Sequence, residues 1–75
     1  MKHVRQDYNR IQDPDGIIPE DEPVMLFRAQ DQLAHLALRF YAGLCRRRGL
    51  HDVAELADQQ ADAMLRWPKK KLPDL

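Results

Sequence analysis

Gly49 divides the longest amphipathic stretch of this chain in two, and no other residue limits the fold as much. It follows Arg46-Arg47-Arg48 and precedes Leu50. That is the pattern of a helix ending on a left-handed residue, with the next apolar side chain folded back on the last turn. A connection this short makes the flanking helices antiparallel neighbours. The expected fold is all-α. An antiparallel helical hairpin, about 23–48 and 52–67, follows an irregular arm over 1–20 and dimerises into a bundle.

The first helix is expected to start at Pro23, which suits a first helical turn, with Glu20, Asp21 and Glu22 at its positive end. At about 100° per residue, Met25, Leu26, Ala29, Leu33, Leu36, Ala37, Phe40, Tyr41 and Leu44 share one broad face. Arg28, Gln32, His35, Arg39 and Arg46 share the other. The phase holds from Met25 to Cys45, which favours one helix or two nearly collinear ones, with Asp31 able to cap a restart and a kink near Gln30. Val24 to Phe27 as a strand is the competing reading, because four apolar residues do not settle a period.

Asp52 and Glu55 resemble a capping box at the start of the second helix. Val53, Leu56, Ala57, Ala61, Met64 and Trp67 are expected to face inward, with Gln60 among them, and Asp52, Glu55, Asp58, Asp62 and Arg66 outward. Pro68 ends the helix and leaves 68–75 as a basic tail. In the arm, Asp13-Pro14-Asp15-Gly16 is turn chemistry. Ile11, Ile17 and Ile18 either form a short hairpin around it or pin the arm onto the helices.

Seventy-five residues make one domain, 1–75, that buries only about 60% of the surface its unfolded form exposes. The single cysteine, Cys45, excludes an internal disulfide and fits a reducing compartment. No stretch approaches the roughly 20 apolar residues of a membrane span, and residues 1–10 lack the apolar run of a signal peptide. The expected location is the cytoplasm, here of a bacterial host, without membrane contact. Helices of 23–48 and 52–67 span roughly 39 Å and 24 Å, so Met25, Leu26 and Phe27 overhang the hairpin. A second copy is the economical cover. The expected homodimer interface is Met25, Leu26 and Phe27 with Gln60, whose amide sets register.

The chain has zero net charge and neither serine nor threonine, so tyrosine is its only hydroxyl side chain. There is no glycine-rich phosphate loop and no supported Cys/His pair, and the carboxylates lie on solvated faces where nothing raises a pKa for acid work. No catalytic residue and no enzyme activity are expected. His3, His35, His51 and Cys45 do not assemble the four ligands of a structural zinc site, so neither metal nor cofactor is expected. Arg46 to Arg48 and Lys69 to Lys71 either grip phosphates or decorate the negative ends of helices. The second reading is preferred and nucleic acid is a third-ranked partner, because neither run carries the interleaved aromatics of single-strand binders.

Tyr8 to Asp31, Tyr-Asn-Arg-Ile-Gln-Asp-Pro-Asp-Gly-Ile-Ile-Pro-Glu-Asp-Glu-Pro-Val-Met-Leu-Phe-Arg-Ala-Gln-Asp, together with the closing Lys-Leu-Pro-Asp, resembles small uncharacterised bacteriophage and prophage accessory proteins. The resemblance brings no catalytic residue with it. It implies a protein that binds and redirects a host protein, defence systems included, or that sequesters a signalling nucleotide.

Two site readings follow. In the first, a host or phage protein docks on Asp52, Glu55, Asp58 and Asp62, with Tyr8 and Arg10 as anchors. In the second, Arg5, Tyr8, Arg10 and Arg28 hold a small anionic ligand, a phosphorylated nucleotide, with arginine forks on phosphate and the tyrosine stacked on a base.

Overall fold

The structure, a computed structural model, describes residues 1–8 and 13–73. Its centre is a two-helix hairpin, α1 (Ala34–Arg47) and α2 (His51–Arg66), whose packing dominates the tertiary contacts. The turn between them forms as the arginine-glycine pattern requires. Gly49 takes φ +75°, its N–H donates to Arg46 O at 3.0 Å, and Leu50 N–H donates to Cys45 O at 2.9 Å. That pair of bonds satisfies the last carbonyls of α1 and turns the chain directly into α2. One consequence differs from expectation. α2 starts at His51 on Leu50, with no side-chain cap, so Asp52 and Glu55 form no capping box and Asp52 lies in the first turn.

The larger correction concerns 23–33, which is not helical. Pro23–Val24 forms β2, paired in parallel with β1 (Lys2–His3) in the register Lys2 to Pro23 and His3 to Val24. The competing strand reading therefore holds for Val24, and Met25 to Phe27 continue without regular structure. Asp31 is where the helix is prepared: its Oδ1 accepts from Leu33 N–H at 2.8 Å and its carbonyl from Ala34 N–H at 3.2 Å. The helical phase expected from Met25 therefore does not hold before Ala34, because the hydrogen-bond partners of this stretch lie elsewhere in the chain. Residues 22–24 and 30–32 bond to distant backbone in the arm and tail, which an amphipathic pattern does not report.

The tail is tied as well. Lys71 N–H donates to Gln30 O at 2.7 Å, and Gln32 N–H donates to Lys71 O at 3.0 Å. Lys70 Nζ donates to Ala29 O at 2.9 Å and also to Met64 O at the carbonyl end of α2. In the arm, Gly16 N–H donates to Asp13 O at 3.0 Å with Gly16 at φ +61°, and Asp13 Oδ2 accepts from Ile18 N–H at 2.8 Å. The expected turn is present. Ile18 is half-buried and Ile17 exposed, while Ile11 lies outside the described residues.

Helices of similar length remove the overhang. With 14 residues in α1 and 16 in α2, Met25, Leu26 and Phe27 are not the unpaired end of a long helix, and the dimer expected through them loses its basis. The hairpin core also differs in kind. Among the described residues the buried apolar side chains are Ala34, Ala42, Cys45, Ala54, Ala57 and Ala61. Small residues let two helices approach closely. Val53, Leu56 and Trp67, expected to face inward, are exposed, as are Phe40 and Leu44 of the apolar face of α1, Phe40 at 73%.

Candidate binding site

Two regions of the surface carry the residues singled out in the sequence. On one side of the hairpin, α1 and α2 are laced by ion pairs. Arg46 Nη2 meets Asp58 Oδ2 at 2.6 Å, Arg39 Nη1 approaches Asp58 Oδ1 at 3.6 Å, and Arg39 also bonds Asp62. Glu55 lies 3.9 Å from Arg46 and accepts from Gln59 at 3.3 Å. The expected acidic face is therefore a mixed-charge face whose carboxylates already hold arginines. Asp52 stands apart from this lattice, exposed in the first turn of α2.

The same geometry bears on the basic runs. Arg46 is engaged within the hairpin, and Lys70 caps carbonyls of α2 and of the linker. These are structural duties of the kind expected at helix C-termini.

The second region is a pocket of about 110 Å³ where three distant segments converge. The arm supplies Val4, Arg5 and Tyr8; the linker supplies Met25, Leu26, Arg28, Gln30 and Asp31; the tail supplies Lys71, Leu72 and Pro73. Three of the four residues proposed for an anionic ligand, Arg5, Tyr8 and Arg28, thus line one cavity. The fourth, Arg10, lies outside the described residues. Met25 and Leu26, expected at an oligomer interface, form part of the apolar wall of this pocket, while Phe27 is half-buried and absent from the lining.

Local chemistry holds the arm side of the pocket in shape. Gln6–Tyr8 is a single 3-10 turn, closed by Tyr8 N–H to Arg5 O at 3.2 Å. The Arg5 fork meets Asp7 at 2.9 Å and 2.6 Å, and its guanidinium carbon lies 4.8 Å from the Tyr8 ring centre. His3 meets the same ring edge-on, 6.5 Å away at 84°. Tyr8 thus contacts both a cation and an imidazole, and the guanidinium is favoured by the ring's electron-rich face.

The pocket is bounded by apolar side chains and is lined by Arg28, Lys71 and Arg5, the last ion-paired with Asp7, and by one carboxylate, Asp31. Asp31 already accepts a backbone hydrogen bond. The cavity suits one apolar side chain with a carboxylate beside it. It is well below the roughly 300–1,000 Å³ of sites that enclose a drug-sized ligand. The sequence reading missed Gln30, Asp31 and the tail residues. Pro68 signals that the chain leaves the helix axis, but nothing local encodes where it goes.

Among the described residues, no three His, Cys, Asp or Glu side chains come together in a metal-binding group, and no helix is long and apolar enough to cross a membrane. Comparison with known proteins finds no matching family model, no matching curated protein and no matching solved structure.

Proposed function

We propose that the chain is a non-enzymatic interaction protein that holds an apolar and acidic segment of another protein between its arm and its tail. The observation that carries the reading is the convergence of Arg5, Tyr8, Arg28, Lys71 and Leu72 on one small, largely apolar pocket. An apolar side chain of the partner enters between Met25, Leu26 and Leu72, and a neighbouring carboxylate meets Arg28. Charge-assisted bonds fix orientation while the apolar contact supplies most of the affinity. The resemblance to phage accessory proteins makes a host or phage protein the partner class.

The ion-paired face is the weaker docking surface. A basic partner there has to displace Arg39 and Arg46 from Asp58, Asp62 and Glu55 before it gains anything. A sponge for phosphorylated nucleotides is the second reading, favoured by the same three cations. The cavity volume argues against it, because about 110 Å³ is well below the roughly 300–1,000 Å³ of sites that enclose a ligand of that size.

A displayed library of random peptides, selected on the immobilised protein, tests the reading. Enrichment of an apolar residue beside Asp or Glu, lost with Arg28→Glu and kept with Asp58→Lys plus Asp62→Lys, is the expected result. Peptides that survive Arg28→Glu but are lost with the double reversal would return the site to the acidic face. A thermal shift with linear or cyclic nucleotides and no peptide enrichment would establish the sponge.

A further inference from the structure

One wall of the pocket is fixed from outside it. Leu72 and Pro73 reach the lining from the stretch that leaves α2 after Arg66, where Pro68 prevents a further helical turn. Leu72 is 68% exposed, so little apolar burial holds it in place. Among the described residues, Lys71 alone gives the tail main-chain bonds to the linker. Its N–H donates to Gln30 O at 2.7 Å and its carbonyl accepts from Gln32 N–H at 3.0 Å. These make a single parallel bridge between Asp31 and Lys71. Even a full pair of isolated strands is marginal in water, and one rung is weaker still.

Lys70 supplies what the rung lacks. Its ammonium donates to Ala29 O at 2.9 Å and also to Met64 O. Met64 O belongs to the last turn of α2, where the helix dipole favours a cation. Ala29 adjoins Gln30, the acceptor for Lys71 N–H. One side chain therefore joins the end of α2, the tail that carries it and the linker side of the pocket. Lys70 itself is absent from the lining.

We propose that Lys70 is a positioning residue of this pocket. Its ammonium latches the tail to α2 and to the linker, and so keeps Leu72 and Pro73 where a bound segment meets them. The proposal rests on the reading of the pocket as a site for an apolar and acidic segment. Affinity for that segment scales with the fraction of chains whose tail is docked, because only those present a complete wall. The coupling is reciprocal: a bound segment holds the tail down and protects the same main-chain bonds as the latch. Loss of the ammonium frees the tail and leaves the hairpin, whose core is Ala42, Cys45, Ala54 and Ala57, as it was.

The test compares Lys70→Gln, Lys70→Arg and Lys69→Gln in the full chain. Lys69 is also exposed, carries the same charge one residue away and makes neither of the two bonds of Lys70. Its variant therefore measures the effect of charge alone on an acidic peptide. The probe is a peptide selected on the immobilised protein, an apolar residue beside Asp or Glu. Lys70→Gln is expected to weaken its binding about tenfold, and Lys69→Gln less than about twofold. Lys70→Arg keeps a cation with several donors and is expected to recover most of the loss.

Amide exchange separates the latch from general stability. Without peptide, Lys71 and Gln32 are expected to exchange faster in Lys70→Gln, while α1 and α2 keep wild-type rates. Saturating peptide is expected to restore protection at both. Equal losses of binding in the two Gln variants overturn the proposal, as do unchanged exchange at Lys71 and Gln32 or faster exchange throughout the helices. The exchange arm needs no ligand, so a failed latch shows there. A failure to enrich any peptide instead overturns the binding reading, and with it any role for Lys70 in binding.

Discussion

Arg46 Nη2 and Asp58 Oδ2 meet at 2.6 Å across the hairpin, and Arg39 approaches the other oxygen of the same carboxylate at 3.6 Å. Asp58 is thus the hub of the charged side, clamped between two arginines of α1. One of the four carboxylates expected to form an exposed acidic surface is thus the one most committed to joining the helices.

Removing that hub should cost little and should depend on salt. These groups are about a quarter to nearly half exposed, so solvent screens them. Asp58→Ala is expected to destabilise the chain by about 1 kcal/mol at low salt, with most of the loss gone near 1 M salt. Urea unfolding of wild type and variant at both ionic strengths measures it. An equal loss at high salt would mean that the carboxylate acts through packing.

The two helix-associated glycines should respond with opposite signs. Gly49 has φ +75° and nothing within 4 Å of an added Cβ, so its penalty is purely conformational. Gly49→Ala is expected to cost about 1–2 kcal/mol. Gly43 lies inside α1 with equal space and ordinary helical φ, and Gly43→Ala is expected to gain about 0.5–1 kcal/mol. Thermal melts of both variants check the pair, and a loss at Gly43 would show that something packs against its open side.

Among the described residues, neither ring nitrogen of His3, both shielded from solvent, meets a hydrogen-bond partner. An unsatisfied buried polar group costs about 1–3 kcal/mol, so His3→Phe, which keeps a ring against Tyr8, is expected to raise the unfolding midpoint. A lowered midpoint would mean that the imidazole finds partners in solution.

The hydrogen bond with the Cys45 side chain, then the repulsion of a Cys45 thiolate, then burial raise the pKa of Tyr41 above its ordinary 10.0. A phenol that ionises less readily in the folded chain contributes stability fully below pH about 10, and that stability is lost as pH rises through the higher folded value. Tyrosinate absorbance is expected to show Tyr41 ionising above its ordinary 10.0, and Cys45→Ala should bring it back toward 10.0. An unchanged titration in that variant would remove the cysteine as the cause.

The sequence was most legible where the structure is local. The Gly49 stop, the antiparallel hairpin and the Asp13 to Gly16 turn each depend on neighbours within a few residues, and each is present. Periodicity found the apolar sectors of both helices but not the part that packs inside the hairpin. Alanines at the edge of each sector allow close approach, and the bulkier Phe40, Leu44 and Leu56 were left outside. The stretch 23–33 was misread because its backbone partners are Lys2 and Lys71, twenty to forty residues away. Arg5, Tyr8 and Arg28 were identifiable as cationic and aromatic residues with little core duty, whereas Lys71 and Leu72 enter the pocket only because the tail reverses.

The most direct measurement is an amide correlation spectrum of the isotope-labelled chain, titrated with a selected apolar–acidic peptide. Shifts concentrated at Arg5, Tyr8, Met25, Leu26, Arg28 and Leu72, and abolished by Arg28→Glu, are the predicted result. Shifts confined to the hairpin, or a pocket that answers only to nucleotides, would contradict it.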